Sequence, residues 1–142
     1  YEAGEALRFD ETSIRGGIRG ILSVMRHIGM LAASKQSKPV TPIVARSTQW
    51  VRAVASGIVS GKVKLGGTIK KGQRLATISD PLGDDEENIV APFDGIVIGR
   101  TNLPLAHEGD ALFNLSSFAD VPKAADVVET FASTHQDSPV DG

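Results

Sequence analysis

Three histidines and one acidic run are the side chains of this sequence that could bind a metal ion or transfer protons. His27, His107 and His135 lie far apart along the chain, and none has an acidic residue at metal-ligand spacing. The run from Asp84 to Glu87 lacks the spacing of an EF-hand calcium loop. We therefore interpret His27 as a cation at the end of a helix, His107 as a surface-loop residue and the acidic run as a solvated hairpin tip.

The sequence offers no nucleophile with an activating motif. It contains no cysteine, which excludes disulfides and thiol catalysis, and no serine lies in a Gly-x-Ser-x-Gly motif. The formal net charge of −2 gives no reason to expect nucleic-acid or membrane binding. No apolar run reaches the roughly 20 residues of a membrane span. The lack of cysteine fits a reducing compartment, so we expect a cytoplasmic location.

An amphipathic helix is predicted near the start of the chain, because apolar residues recur at helical spacing from Ile14 to Ile28. Asp10 is a suitable N-cap, and Gly29 can end the helix. Three internal glycines each cost roughly 1 kcal/mol relative to alanine, so the helix must depend on packing. These glycines are Gly16, Gly17 and Gly20.

The middle of the chain contains an internal duplication. The segment Gly57–Val59 recurs 38 residues later as Gly95–Val97, and Lys71–Leu75 recurs 37 residues later as Glu108–Leu112. One half cannot cover its own apolar face, whereas two halves packed about a pseudo-twofold axis can. We therefore predict a mainly β fold, a barrel-sandwich hybrid of two half-repeats, flanked by the N-terminal helix and a short C-terminal helix.

This duplication resembles the biotinyl/lipoyl fold, whose carrier domains present a modifiable lysine on the hairpin that joins the halves. The joining segment here, Ser79–Asn88, contains no lysine, and none occurs between Lys71 and Lys123. An amide-linked cofactor needs a lysine amine for attachment. A lipoyl or biotin carrier role is therefore disfavoured.

Several motifs taken together carry a narrower resemblance. They are Ser47–Ala53, Asp80–Pro81, Ala91–Arg100 and Glu108–Phe113. They are similar to the C-terminal domain of the succinylglutamate desuccinylase/aspartoacylase family, which resembles zinc carboxypeptidases. Glu2, followed by Ala3 and Gly4, matches the position of a Glu-x-Gly motif at the end of that family's catalytic domain.

The resemblance implies a zinc-dependent hydrolase that cleaves the acyl-amide bond of N-acyl amino acids. Zinc polarises the attacking water and the scissile carbonyl, and Glu2 would act as general base and acid. The family's zinc ligands, a His-x-x-Glu motif and a later histidine, precede the position of Glu2. We therefore expect no metal or cofactor ligand in this chain, and we expect the chain alone to be inactive.

The same resemblance suggests an order of segments. Residues 1–31 would end the catalytic domain and include a closing helix from Thr12 to Leu31. Residues 32–46 form a linker, 47–118 the β domain, and 119–142 a tail. In this tail, Pro122 can take the first position of a short helix, and the end is expected to fray from Ser133. The chain begins at Tyr1 rather than at methionine, so we expect it to be part of a longer protein.

The expected partners are the missing N-terminal catalytic domain and a small N-acyl amino acid, with homo-oligomer contacts left open. Two loops are candidates for the substrate entrance, Asp80–Asn88 and Thr101–Glu108. The alternative is a non-catalytic barrel-sandwich adaptor module. Such adaptors usually insert a long coiled-coil hairpin between the halves, and the link in this sequence is too short for one.

Overall fold

The computed structural model describes residues 1–33, 41–61 and 63–136. For residues 135 and 136 it describes the backbone alone. Two helices flank eight strands. The helices are α1 (Glu11–His27) and α2 (Val121–Gln136). The strands are β1 (Ser47–Arg52), β2 (Gly57–Gly61), β3 (Thr68–Ile69), β4 (Arg74–Ser79), β5 (Glu86–Val90), β6 (Gly95–Arg100), β7 (Leu105–Ala106) and β8 (Ala111–Ser117). No described helix is long and apolar enough to cross a membrane.

The strands form two four-stranded antiparallel sheets, whose topology reproduces the duplication. One sheet has the order β1-β8-β6-β3, and the other has the order β5-β4-β2-β7. Strands β1–β4 of the first half are equivalent to β5–β8 of the second. When each strand is replaced by its equivalent, one strand order becomes the other. Each half-repeat therefore supplies the two central strands of one sheet and both edge strands of the other, so that neither half forms a sheet alone.

Equivalent glycines allow equivalent close contacts in the two sheets. A Cβ atom at Gly57 would lie 2.2 Å from the carbonyl oxygen of Ser79, and one at Gly95 would lie 2.2 Å from that of Ser116. Real Cβ atoms essentially never approach an oxygen so closely. The recurring glycines of the sequence are thus required by the pairing of strands within each half.

The turn before the last strand of each half also repeats. Gly72 and Gly109 have φ values of 79° and 89°, in the left-handed region that favours glycine. Gly72 N–H donates to the carbonyl of Ala91 at 2.8 Å, and Gly109 N–H donates to the carbonyl of Ala53 at 2.9 Å. Each half therefore anchors its turn on the residue that follows the first strand of the other half.

Both sheets contribute to one core made almost entirely of aliphatic residues. The equivalent residues Leu75 and Leu112 are fully buried. The core consists of Ala53, Val63, Ile69, Leu75, Ala76, Ile78, Ile89, Ala91, Val97, Ala106, Leu112, Phe113 and Leu115. A shared core explains why both halves are needed for folding.

The prediction of a mainly β chain with two flanking helices is confirmed. The described strands form two separate sheets, and no closed barrel is seen among them. The barrel-sandwich hybrid and the four predicted segments remain predictions. By its internal contacts the chain divides into one unit of Tyr1–Pro42 with Val128–Gly142 and another of Ile43–Val127.

Helix α1 begins at the predicted cap and ends just before Gly29, the residue predicted to stop it, although the family resemblance suggested a longer helix. Asp10 is the N-cap, and its side chain accepts a hydrogen bond from Ser13 N–H. Gly29, with a φ of 79°, and Met30 donate to the carbonyls of Arg26 and Met25. This is a Schellman motif, and it ends the helix at His27 rather than at the predicted Leu31.

Helix α2 is longer than the short helix that the sequence suggested. Asp120 accepts a hydrogen bond from Lys123 N–H at 3.0 Å and caps the helix, so Pro122 takes its second position, not the first. The 16-residue helix continues through Gln136, so residues 133–136, expected to fray, are helical. The rest of the predicted frayed end, residues 137–142, lies outside the described residues.

Candidate functional site

The predicted catalytic carboxylate, Glu2, lies in the segment that precedes α1. Its side chain is exposed to solvent. Two residues later, Gly4 has a φ of 79°, a backbone conformation that residues with a Cβ atom rarely adopt. The chain therefore makes the tight turn at Gly4 that the Glu-x-Gly motif suggested.

Tyr1, the neighbour of Glu2, is held against α1. Its hydroxyl donates to the carbonyl oxygen of Ser13 at 2.8 Å. Its ring packs on Gly17, where a Cβ atom would lie 2.7 Å from the ring. Ser13 in turn donates to the Asp10 carboxylate through both its N–H and its hydroxyl. These contacts link the backbone beside Glu2 to the first turns of the helix.

Two of the three costly glycines of α1 are explained by such contacts. Gly17 admits the Tyr1 ring, and a Cβ atom at Gly16 would lie 3.3 Å from the Tyr1 hydroxyl and 4.0 Å from the ring of Phe131 in α2. Arg19 also reaches α2, where its guanidinium donates to the carbonyl of Thr134 at 3.3 Å. A Cβ atom at Gly20 would meet nothing within 4 Å, and the structure does not explain this glycine.

A groove of about 290 Å³ runs between the N-terminal segment and α1. Its lining is mainly apolar, and the charged groups beside it already have partners. Arg8 lies 3.4 Å from the carboxylate of Glu5, and Asp10 caps the helix. The lining residues are Tyr1, Ala3, Gly4, Arg8, Phe9, Asp10, Ser13, Ile14, Gly17, Ile18 and Ile21. Glu2 does not line the groove, but both of its neighbours do.

The exposed carboxylate of Glu2 therefore belongs to a segment that lines an apolar groove. A carboxylate can accept and return a proton, but by itself it supplies no electrophile to polarise a scissile carbonyl. The sequence singled out Glu2 and Gly4 and missed Tyr1 and Ser13. No local pattern relates Tyr1 to residues 12 and 16 positions later, because that contact depends on the turn at Gly4.

The described residues do not fit a zinc site. Among them, no three His, Asp or Glu side chains lie close enough together to hold a metal ion. His27 is exposed in the last turn of α1, and His107 is exposed in a turn closed by a hydrogen bond from its N–H to Asp110 at 2.8 Å. The side chain of His135 lies outside the described part of the chain.

The hairpin between β4 and β5 is organised by Asp80. Its carboxylate accepts hydrogen bonds from the N–H groups of Leu82 at 3.3 Å and Asp85 at 3.2 Å. The hydrogen bond from the Asp85 N–H is the main reason that the pKa of Asp80 lies below its usual value of 3.8. Leu82 at the tip is 84% exposed, so the hairpin presents an apolar side chain to solvent.

Comparison with known proteins gives a fold and no sequence match. No protein-family model matches the chain, and no curated protein matches it in sequence. Among solved structures, a succinylglutamate desuccinylase from a Silicibacter species superposes with a TM-score of 0.67 at 18% identity, over 78% of this chain and 35% of that one.

Two further structures agree with this result. A succinylglutamate desuccinylase/aspartoacylase from Rhodobacter sphaeroides gives a TM-score of 0.65 at 20% identity, over 80% of this chain and 37% of that one. The ectoine utilization protein EutE from Ruegeria pomeroyi gives a TM-score of 0.65 at 21% identity, over 78% of this chain and 36% of that one. The chain thus shares the fold of part of these proteins and spans little more than a third of their length.

Proposed function

We propose that this chain is the C-terminal region of a zinc-dependent hydrolase of the succinylglutamate desuccinylase/aspartoacylase family, one that cleaves the acyl-amide bond of N-acyl amino acids. One observation carries the proposal. Proteins with these names share the fold over about four-fifths of this chain, which is more than the β region alone contains. The Glu-x-Gly motif and its turn at Gly4 provide separate support.

In this proposal Glu2 is the catalytic residue of the chain. Its carboxylate takes a proton from the attacking water and later gives it to the leaving amine. Tyr1 and Gly4 fix the backbone on either side of Glu2, which limits where the carboxylate can move. The zinc ion, bound by residues upstream of this chain, would supply Lewis-acid polarisation.

The partner of α1 would be the catalytic domain. Four residues of the helix and its C-cap residue are more than a third exposed although all are apolar, which is unusual for a helix in contact only with water. They are Ile14, Ile18, Ile21, Val24 and Ile28. This face supports the proposal that residues 1–31 complete another domain.

The β region would be an accessory domain with the barrel-sandwich hybrid architecture, in residues 47–118 and joined by the linker of residues 32–46. The loops Asp80–Asn88 and Thr101–Glu108 remain our candidates for the substrate entrance. The duplicated topology and the aliphatic core shared by both sheets support this architecture. We place the protein in the cytoplasm.

The test is an activity measurement on the full-length parent protein with zinc content determined in parallel. N-succinylglutamate and N-acetylaspartate represent the substrate class. Glu2→Gln should lower kcat by a factor on the order of 10² to 10⁴, because it removes the general base, and should leave the zinc content unchanged. Glu5→Gln, a matched change three residues away, should leave kcat within about twofold.

Two results would overturn the proposal. One is a full-length protein that neither binds zinc nor hydrolyses either substrate, which would favour a non-catalytic adaptor module. The other is full hydrolase activity of these 142 residues alone. A cofactor mass added after co-expression with a lipoyl or biotin ligase would instead revive the carrier function.

A further inference from the structure

The segment that contains the proposed catalytic carboxylate rests on α1 at both of its ends. At one end, the Tyr1 hydroxyl donates to the carbonyl oxygen of Ser13 at 2.8 Å. At the other end, Gly4 lies so close to the helix that a Cβ atom there would be 3.3 Å from the Ser13 Oγ. One residue of the helix, Ser13, thus supports the chain on both sides of Glu2.

Ser13 is itself held in place. Its N–H and its hydroxyl both donate to the carboxylate of Asp10, the N-cap residue of α1. The hydrogen bond from the N–H is the usual helix cap, whereas the one from the hydroxyl is additional and fixes the side chain of the serine. A Cβ atom at Gly4 would also lie 3.6 Å from the Asp10 Cβ. The Asp10–Ser13 pair therefore forms one surface against which Gly4 packs.

The ring of Tyr1 occupies a notch at Gly16 and Gly17. A Cβ atom at Gly17 would lie 2.7, 3.0 and 3.3 Å from three atoms of the ring, and one at Gly16 would lie 3.3 Å from the hydroxyl oxygen. Gly17 is buried, although most of the ring is exposed to solvent. The ring is held by its hydroxyl at one end and by the backbone at the other. A methyl group at position 17 would therefore either move Tyr1 or break its hydrogen bond.

The chain between the two anchored residues is short. Only Glu2 and Ala3 separate Tyr1 from Gly4, so the Cα atoms of the two ends can be at most about 11 Å apart. Gly4 adds a turn with a φ of 79°. A connection this short, supported at both ends, leaves the Cα atom of Glu2 little room to move.

We propose that Ser13 and Gly17 are positioning residues, which hold the Glu2 carboxylate where it can transfer protons. Tyr1 carries the position of the helix over to Glu2. This inference rests on the proposed function, and it assigns a role in the reaction to a helix turn that need not touch substrate. Displacement of a catalytic group by 1 Å can cost about 10²-fold in rate. The expected effect is therefore on kcat and not on substrate binding.

Gly17→Ala in the full-length parent protein is the first test, with N-succinylglutamate and N-acetylaspartate as substrates. The new Cβ atom displaces the Tyr1 ring, so kcat should fall about 10- to 100-fold, while KM and the zinc content should stay within about twofold. Gly20→Ala is the matched control, because a Cβ atom there meets no described atom within 4 Å. It should leave kcat within about twofold.

Two milder variants test the hydrogen bonds of the same turn. Ser13→Ala removes the hydroxyl that donates to Asp10 and keeps the N–H that caps the helix. Tyr1→Phe keeps the ring in its notch and removes the hydrogen bond to the Ser13 carbonyl. Each should lower kcat about three- to tenfold with KM unchanged. Thermal unfolding followed by circular dichroism verifies that all the variants fold.

A double-mutant cycle separates positioning from a purely structural role of Gly17. In a Tyr1→Ala background no ring is present for the new Cβ atom to displace, so Gly17→Ala should no longer lower kcat. If alanine at position 17 acted through the packing of α1 elsewhere, it would lower kcat equally in both backgrounds. That result would overturn the inference.

The remaining outcomes distinguish this inference from the proposed function. An active parent that is inactivated by Glu2→Gln but keeps its kcat in Gly17→Ala and Ser13→Ala would refute the positioning role and leave the function standing. A change confined to KM in these two variants would refute it in the same way. A parent protein that hydrolyses neither substrate would refute both.

Discussion

The two half-repeats share a backbone and a core but differ on their outer faces. Ile96 in β6 is fully buried, whereas its equivalent in β2, Ile58, is 43% exposed. Each points away from the common core. What differs is the chain after the last strand of each half, because β4 continues into a hairpin and β8 continues into α2. Ala124 of α2 is 2% exposed and, like Ile96, lies outside the core cluster.

Ile96 is therefore covered on its outer face, whereas Ile58 is not. The two longer edge strands also differ in charge, since β5 contains Glu86 and Glu87 whereas the charged residue of β1 is Arg52. Strand order, tight turns and buried leucines are held in common, because each half needs the other to complete its sheet. The residues outside that shared framework differ between the two halves.

The largest loss of stability is expected when Gly57 or Gly95, the equivalent glycines of the common framework, is replaced by alanine. Each new Cβ atom would overlap a backbone carbonyl oxygen of the last strand in its half. We expect each substitution to destabilise the chain by about 3 kcal/mol or more, and both to cost nearly the same. Urea unfolding at equilibrium measures the two free energies.

Gly61→Ala is the control for this pair, because its Cβ atom would lie 3.5 Å from the nearest atom, an ordinary contact. It should be neutral or slightly stabilising, since alanine loses less backbone entropy than glycine. A cost at Gly57 much smaller than at Gly95 would show that the two halves do not share the same strand pairing.

The sequence predicts the framework well because its signals are local or periodic. The recurring glycines predict the duplication, Asp10 predicts the cap of α1, and Gly29 predicts its end. The exchange of edge strands between halves is not predictable in this way. β3 and β7 have only two residues each, which is too short for an alternating pattern. The sequence predicts too short an α2, because the last residues of the helix are polar and show no apolar periodicity.

The candidate site is less predictable than the fold. Glu2 and Gly4 were singled out by resemblance to a family motif and by no pattern within the chain. The packing of Tyr1 on Gly17 has no sequence signal, because it joins two segments through a turn. In the sequence alone Gly17 is only a cost to the helix, because its role depends on the ring that packs against it.

A second pair of substitutions sharpens the contrast between the outer faces. Ile96→Ala should cost about 3 kcal/mol, because it leaves a cavity at a fully buried site. Ile58→Ala should cost about 1 kcal/mol, because the 43% exposed side chain already contacts water. The difference between the two free energies of unfolding measures how much the burial of the outer face at Ile96 contributes to stability.

Ala124→Asp tests whether α2 covers Ile96. It places a charge at a position that is 2% exposed, so it should displace the start of α2 and lower stability. In this background, Ile96→Ala should cost no more than Ile58→Ala. An undiminished cost of Ile96→Ala would mean that some other part of the chain buries Ile96.

The smallest expected effect concerns the hairpin that follows the first half and has no equivalent after the second. Backbone N–H groups of the hairpin, with that of Asp85 contributing most, stabilise the ionised form of Asp80 and lower its pKa below 3.8. The stabilising hydrogen bonds are therefore fully present above about pH 4 and are lost as the pH falls through the lowered pKa of the folded chain. In an NMR titration, the Asp85 amide resonance should shift with a midpoint below 3.8. Asp80→Asn should abolish that shift, and a midpoint at or above the usual value would show that the hairpin is not held by this carboxylate.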